Sequence, residues 1–166
     1  MENNIYKAPE SQLTSASENA SVLASRGRRL AASFIDGLII LAVTIPLMYL
    51  TGGFDGISSG QQPSFLYSLG IGFIGLVVFV AINFNLLKSA GQTIGKRVMG
   101  IKIVTLDGEL PVIGDHLLKR YAVYFLPGQV PVVGGIFSIV NILFIFGPQR
   151  RCIHDFVAQT KVVACD

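Results

Sequence analysis

The 166 residues include no tryptophan, only two cysteines and only two histidines, and charged side chains make up just 14% of the chain. With 51% hydrophobic residues and a mean hydropathy of +0.60, so little charge argues against a soluble domain and for an integral membrane protein. Cys152 and Cys165 both follow the last apolar run, where a cytoplasmic location would keep them as reduced thiols. A metal set of Cys152, His154, Asp155 and Cys165 matches no zinc spacing, so neither a metal nor a cofactor is expected. The first apolar run starts near residue 30 and is full length, unlike a signal peptide, so the first helix is expected to stay in the mature protein. The net charge of +3 does not indicate nucleic acid. Every Lys and Arg except Lys7 lies beside or between apolar segments, where the bilayer and its anionic headgroups account for it.

The apolar runs define the organisation. Residues 1–25, rich in Ser, Asn, Ala and Glu, carry no apolar periodicity and read as a disordered cytoplasmic tail ahead of a membrane domain spanning 26–166. Leu30 to Leu50 reaches about 31 Å at a helical rise, the thickness of a bilayer core. Arg28 and Arg29 stand at its mouth and one carboxylate, Asp36, lies inside it. A turn-rich loop without Lys or Arg, Gly52 to Pro63, precedes a second run, 65–87, in which Gly70, Gly72 and Gly75 offer a face for self-association. Lys88, Lys96, Arg97, Lys102, Lys119 and Arg120 then mark the cytoplasmic side by the positive-inside bias.

Within this basic stretch, GQTIGKRVMG predicts a short interfacial helix that turns Ile94, Val98 and Met99 towards lipid or protein. Ile101 to Thr105 predicts a strand that pairs with a second one, Thr160 to Ala164. Gly91 to Lys96 is no phosphate loop, because three residues instead of four separate the glycines and Arg97 replaces the hydroxyl. The third apolar region is broken by PGQVP at 127–131, giving limbs of about 116–126 and 132–147. Both are short, which predicts tilted crossings or a re-entrant hairpin. The expected fold is an all-α polytopic bundle of about four crossings, with a cytoplasmic interfacial helix, a short two-stranded β pairing and both termini cytoplasmic.

Three stretches taken together, RRLAASFID at 28–36, GQTIGKRVMGIKIVTLDG at 91–108 and RRCIHDFVAQTKVV at 150–163, resemble the RDD family of small membrane proteins. On that resemblance the eponymous arginine and first aspartate match Arg29 and Asp36, and the second aspartate matches Asp155. The resemblance implies transport, including exchange of monovalent cations for protons as reported for some members. Arg29 and Asp36 share a helix face about 10 Å apart along the axis, too far for a direct pair. Arg29 is therefore expected to meet headgroups, or Asp155 if the tail folds back, and Asp36 to meet Asn83, Asn85 or Arg120.

The leading expectation is a cation/proton exchanger of the inner membrane. Asp36 is its proton or ion site with Asn83 and Asn85, and Arg29, Asp155 and Arg120 form a gate or latch. The same three family residues also fit a purely structural latch. A homo-oligomer is expected, because one carboxylate in so small a domain does not enclose a pathway. The alternative is an accessory or assembly subunit whose segment Lys96 to Lys102 docks another membrane protein or anionic lipid. No enzyme is expected: the lone His154–Asp155 pair lacks the further ligands of a phosphohydrolase, and His116 reads as an interfacial residue.

Overall fold

Ser25, Ser64 and Thr93 each precede a helix and cap it, their hydroxyls accepting the backbone N–H three residues on, from Arg28, Tyr67 and Lys96 at 3.2–3.3 Å. In the computed structural model, which describes residues 22–130 and 133–165, these caps open α1 (Arg26–Leu50), α2 (Phe65–Ala90) and the short α3 (Ile94–Val98). Gly91 ends α2 in the left-handed conformation at φ 64°. Next come β1 (Ile101–Thr105), a π-helical turn (Ile113–Leu117) running into α4 (Leu118–Phe125), α5 (Val133–Leu143) with a 3₁₀ turn to Phe146, α6 (Ile153–Val157) and β2 (Thr160–Ala164). The first two apolar helices form as expected, one turn longer at Arg26 and three residues longer at Ala90.

Burial is inverted along the molecule. Only 17% and 11% of the apolar stretches of α1 and α2 are buried, although each helix is long enough to cross a bilayer. A core helix of a soluble protein would be mostly covered. Large apolar side chains such as Phe34, Tyr49, Leu66, Phe73 and Ile139 face outward. The tight core lies instead at the basic end, where Ile101, Ile103 and Val162 of the β1–β2 pair pack with Ala24, Ala32, Phe79, Leu87 and Leu117. β1 and β2 are antiparallel, in the register Ile101↔Ala164 to Thr105↔Thr160.

A two-stranded ladder is marginal alone. Here Leu23 bridges Val163, and Ala24 N donates to Val162 O at 3.0 Å. This corrects the tail expectation at residues 22–25, which belong to the fold because they complete that sheet edge; the remainder of the expected tail lies outside the described residues.

Gly75 brings α2 against Ile40 and Thr44 of α1, and a Cβ at Gly72 would collide with the Gln129 amide at the tip of the α4–α5 hairpin. These two glycines therefore serve packing within the chain, leaving Gly70 with open space beside it. A Cβ at Gly134 would meet Pro127 O and Gly128, so only glycine lets α5 turn back this closely. Met99 packs on the core, as expected of the α3 segment, while Val98 is exposed.

Candidate functional site

Asp155 sits in the first turn of α6, where its Oδ2 accepts the Cys152 N–H at 2.9 Å and caps the helix. The chain thus carries a carboxylate to a fully buried position, and two guanidiniums converge on it. Arg29 Nη2 donates to Oδ2 at 2.5 Å, and Arg120 Nη1 donates to Oδ1 and, at 2.8 Å, to Thr160 Oγ1. Arg29 also donates to Arg150 O, and Arg151 donates to Asp155 O and Thr160 O, both at 3.0 Å. Burial would raise the Asp155 pKa, but Arg120 and Arg29 outweigh it and hold the carboxyl well below the usual range. The predicted Arg29–Asp155 contact is present, and Arg120, expected either beside Asp36 or in the latch with Arg29 and Asp155, joins Asp155.

His154 extends this node. Its Nδ1 donates to Asn141 Oδ1 at 3.0 Å, which leaves Nε2 to accept from Arg120 Nη2 at 3.2 Å. Burial, reinforced by Arg120, drives its pKa well below the ordinary imidazole value and keeps it neutral. Cys152 Sγ, His154 and Asp155 offer three ligand atoms within 4.8 Å of one another. Every one already accepts from a guanidinium, and burial pushes the Cys152 thiol up, so the donor set does not suit a cation. Cys165 lies apart, against Gln92 Nε2 at 3.2 Å.

Asp36 is held differently. Thr93 Oγ1 donates to Oδ2 at 2.5 Å, the Gly95 N–H donates to Oδ1 at 2.8 Å, and Lys96 Nζ stands 4.0 Å from Oδ2. Gly95 is what permits this, since a Cβ there would strike Ala32 O and the Asp36 carboxyl. Desolvation, then the charge of Arg120, lowers the Lys96 pKa to about 8 against the pull of Asp36.

The two asparagines expected beside Asp36 are not there. Asn83 Nδ2 donates to Phe79 O at 2.9 Å, and its Oδ1 accepts the Ile94 N–H at 2.8 Å, so it anchors α3 to α2. Asn85 is exposed on the other face of α2. Sequence reasoning missed Thr93, Lys96, Asn141 and Tyr121; the helix-capping threonine followed two residues on by glycine was the available signal for the first two.

Both nodes border one cavity of about 350 Å³. Arg29, Asp36, Lys96, Arg120 and His154 line its polar end; Ile40, Phe79, Phe125 and Ile145 line its apolar body. The buried Tyr121 hydroxyl, on a ring 5.0 Å from that of Phe79, has no hydrogen-bond partner among the described residues.

The chain is 31% identical over 90 residues to the uncharacterised protein YxaI of Bacillus subtilis, covering 53% of the chain and 54% of that protein. It is 27% identical over 143 residues to an uncharacterised protein of Haemophilus influenzae, covering 84% and 77%. It is 31% identical over 91 residues to the uncharacterised membrane protein YteJ of Bacillus subtilis, covering 53% and 49%. The chain thus spans about half the length of the two Bacillus proteins. No solved structure matches it. The RDD family model matches residues 23–159, a stretch holding Arg29, Asp36, Lys96, Arg120 and Asp155, and the chain belongs to the RDD family.

Proposed function

We propose that the protein is a small transporter of the cytoplasmic membrane that exchanges a monovalent cation for a proton at Asp36, with Lys96 as the competing internal cation. The observation that carries this reading is the loose Asp36–Lys96 pair. The carboxylate is fixed by a hydroxyl and an amide, and the ammonium stands 4.0 Å away at the edge of a cavity. Oxygen donors suit a hard monovalent ion, and a neutral Lys96 would leave Asp36 free to hold one. Protonation of Lys96 returns a positive charge to Asp36 and expels the ion.

Burial, then Arg120 of α4 and Arg29 of α1, lower the Lys96 pKa against the opposing charges of Asp36 and Asp155 of α6. With Lys96 titrating at about 8, it is charged and blocking below that pH and released above it.

The same reading sets the topology. α1 and α2 cross, with the Arg26 and Ala90 ends cytoplasmic. The α4–α5 hairpin enters and leaves on that side as a re-entrant pair, its Gln129 tip level with Gly72, roughly 10 Å short of the far end of α2. The accessory-subunit alternative draws on Arg97, Val98 and Lys102, which are exposed on α3 and β1 while Lys96 turns inward.

Sealed vesicles containing the purified protein and carrying a proton gradient, challenged with sodium, potassium or lithium, test the exchange. Cation-driven collapse of the gradient is expected, rising from pH 7 to pH 9. Asp36→Asn is expected to abolish it at equal folded yield, and Lys96→Met to remove its pH dependence. Absence of flux from folded protein, or flux unchanged by Asp36→Asn, would overturn the reading.

A further inference from the structure

The cavity has an unbalanced charge and an unusual doorway. At its polar end three cations, Arg29, Lys96 and Arg120, meet two carboxylates, Asp36 and Asp155, while His154 is neutral. Asp155 is shared between two guanidiniums and Asp36 serves Lys96, so one positive charge has no counter-ion inside a largely apolar enclosure. Uncompensated charge in such surroundings is costly, and a monoanion would remove the cost. Tyr121 adds a buried hydroxyl beside Arg120 that meets no hydrogen-bond partner among the described residues, a donor that such an anion would satisfy.

The exposed residues of the rim lie on facing helices. Leu30, Ser33, Gly37 and Leu41 form one stripe of α1, and Ile142 lies on α5. On the topology proposed above, these residues, all apolar or glycine except Ser33, lie on outward faces of membrane-embedded segments, so the cavity opens sideways towards lipid. Its volume of about 350 Å³ falls at the small end of ligand pockets, roughly 300–1,000 Å³, which is room for one acyl chain inside. Beyond the charged end, Ile40, Phe79, Phe125 and Ile145 offer only apolar contact.

From this charge, shape and doorway we infer that the cavity is a binding site for a single-chain amphiphile with a monoanionic head. The head sits among Arg29, Lys96, Arg120 and Tyr121, and the chain lies along Ile40, Phe79 and Phe125. Nothing in this site requires ion exchange. An anion seated beside Lys96 would favour the charged lysine, so an exchanging protein would be slowed by it.

The test uses the full chain in neutral maltoside micelles at pH 7.5, with radiolabelled dodecanoate as the probe and protein-free micelles subtracted. Saturable binding of one dodecanoate per chain is expected, about tenfold or more tighter than that of dodecyltrimethylammonium or dodecanol. Acetate at the same concentration is expected not to compete. Gly37→Phe projects a ring from a rim position where an added Cβ meets nothing within 4 Å, so the doorway narrows without a clash at the backbone. It should weaken dodecanoate binding about tenfold with unchanged circular dichroism and elution volume. Lys96→Gln should erase the preference for dodecanoate over dodecanol.

Equal binding of all three chains, uptake without saturation, competition by acetate as strong as by dodecanoate, or a folded Gly37→Phe protein with unaltered affinity would each overturn the site. No gradient is present, so the result is independent of whether the protein transports.

Discussion

Two aspartates serve the same cavity, Asp36 in its lining and Asp155 behind Arg29 and Arg120, yet they are built to opposite specifications. Asp155 is wholly buried, caps its own helix and takes hydrogen bonds from two guanidiniums supplied by α1 and α4. Asp36 keeps 11% of its side-chain surface exposed, accepts from one hydroxyl and one amide, and has its cation 4.0 Å away. A charge that joins three elements cannot be released without separating them. A charge held by one short helix can change partner while the helices stay where they are, so ligand exchange belongs at Asp36 and mechanical continuity at Asp155.

The strongest way to break this contrast is to neutralise each carboxylate in turn. Asp155→Asn leaves Arg29 and Arg120 facing each other without a full counter-charge, and a loss of about 3–5 kcal/mol of stability is expected. Asp36→Asn keeps much of its bonding to Thr93 and Gly95 and should cost about 1 kcal/mol. Denaturation of both variants in micelles reads the difference. Equal destabilisation would show that both carboxylates are structural.

A smaller effect probes how α3 reaches Asp36. Gly95→Ala places a methyl against Ala32 O and within 2.9 Å of the Asp36 Cγ, so α3 must lift away from α1. A cost of about 1–3 kcal/mol is expected from the forced repacking. Gly114→Ala, whose Cβ meets nothing within 4 Å, should be nearly neutral and serves as the comparison. If Gly95→Ala were equally silent, the close approach that seats Lys96 beside Asp36 would not be needed.

How much of this was legible follows from the range over which each feature is encoded. The β1–β2 pairing could be read from two β-branched runs, and Arg29–Asp155 from the requirement that each charge find a partner beyond its own helix. The partner of Asp36 was not legible. Thr93 lies 57 residues away in a segment whose charges suggest a headgroup contact, and only the close approach at Gly95 turns Lys96 inward. One misplacement was avoidable. Asn83 and Asn85 are two residues apart on a helix, about 200° around its axis, so they do not share a site; the structure puts one inside and one out. The tail deceived for a different reason: three residues, 22–24, add to a sheet edge that lies about 140 positions downstream, beyond any local pattern.

The smallest expected effect separates the aspartate nodes by pH. His154 belongs to the Asp155 node, and its pKa in the folded protein is depressed by burial and by Arg120. The unfolded chain therefore binds a proton more readily than the native state, with a reference pKa of about 6.5. The stability this contributes is fully present above that value and is lost as the pH falls towards the native pKa. A single group sets a slope of at most about 1.4 kcal/mol per pH unit. Asp155, also depressed, adds its own loss only below the carboxylate range near 4. Stability measured in micelles should thus decline between pH 7 and pH 5, before any carboxylate of the node responds. In His154→Gln the decline should vanish, although the absolute stability falls with the loss of the contacts to Asn141 and Arg120. An undiminished slope in that variant would move the proton to the Asp36 side of the cavity and remove the distinction between a fixed node and an exchanging one.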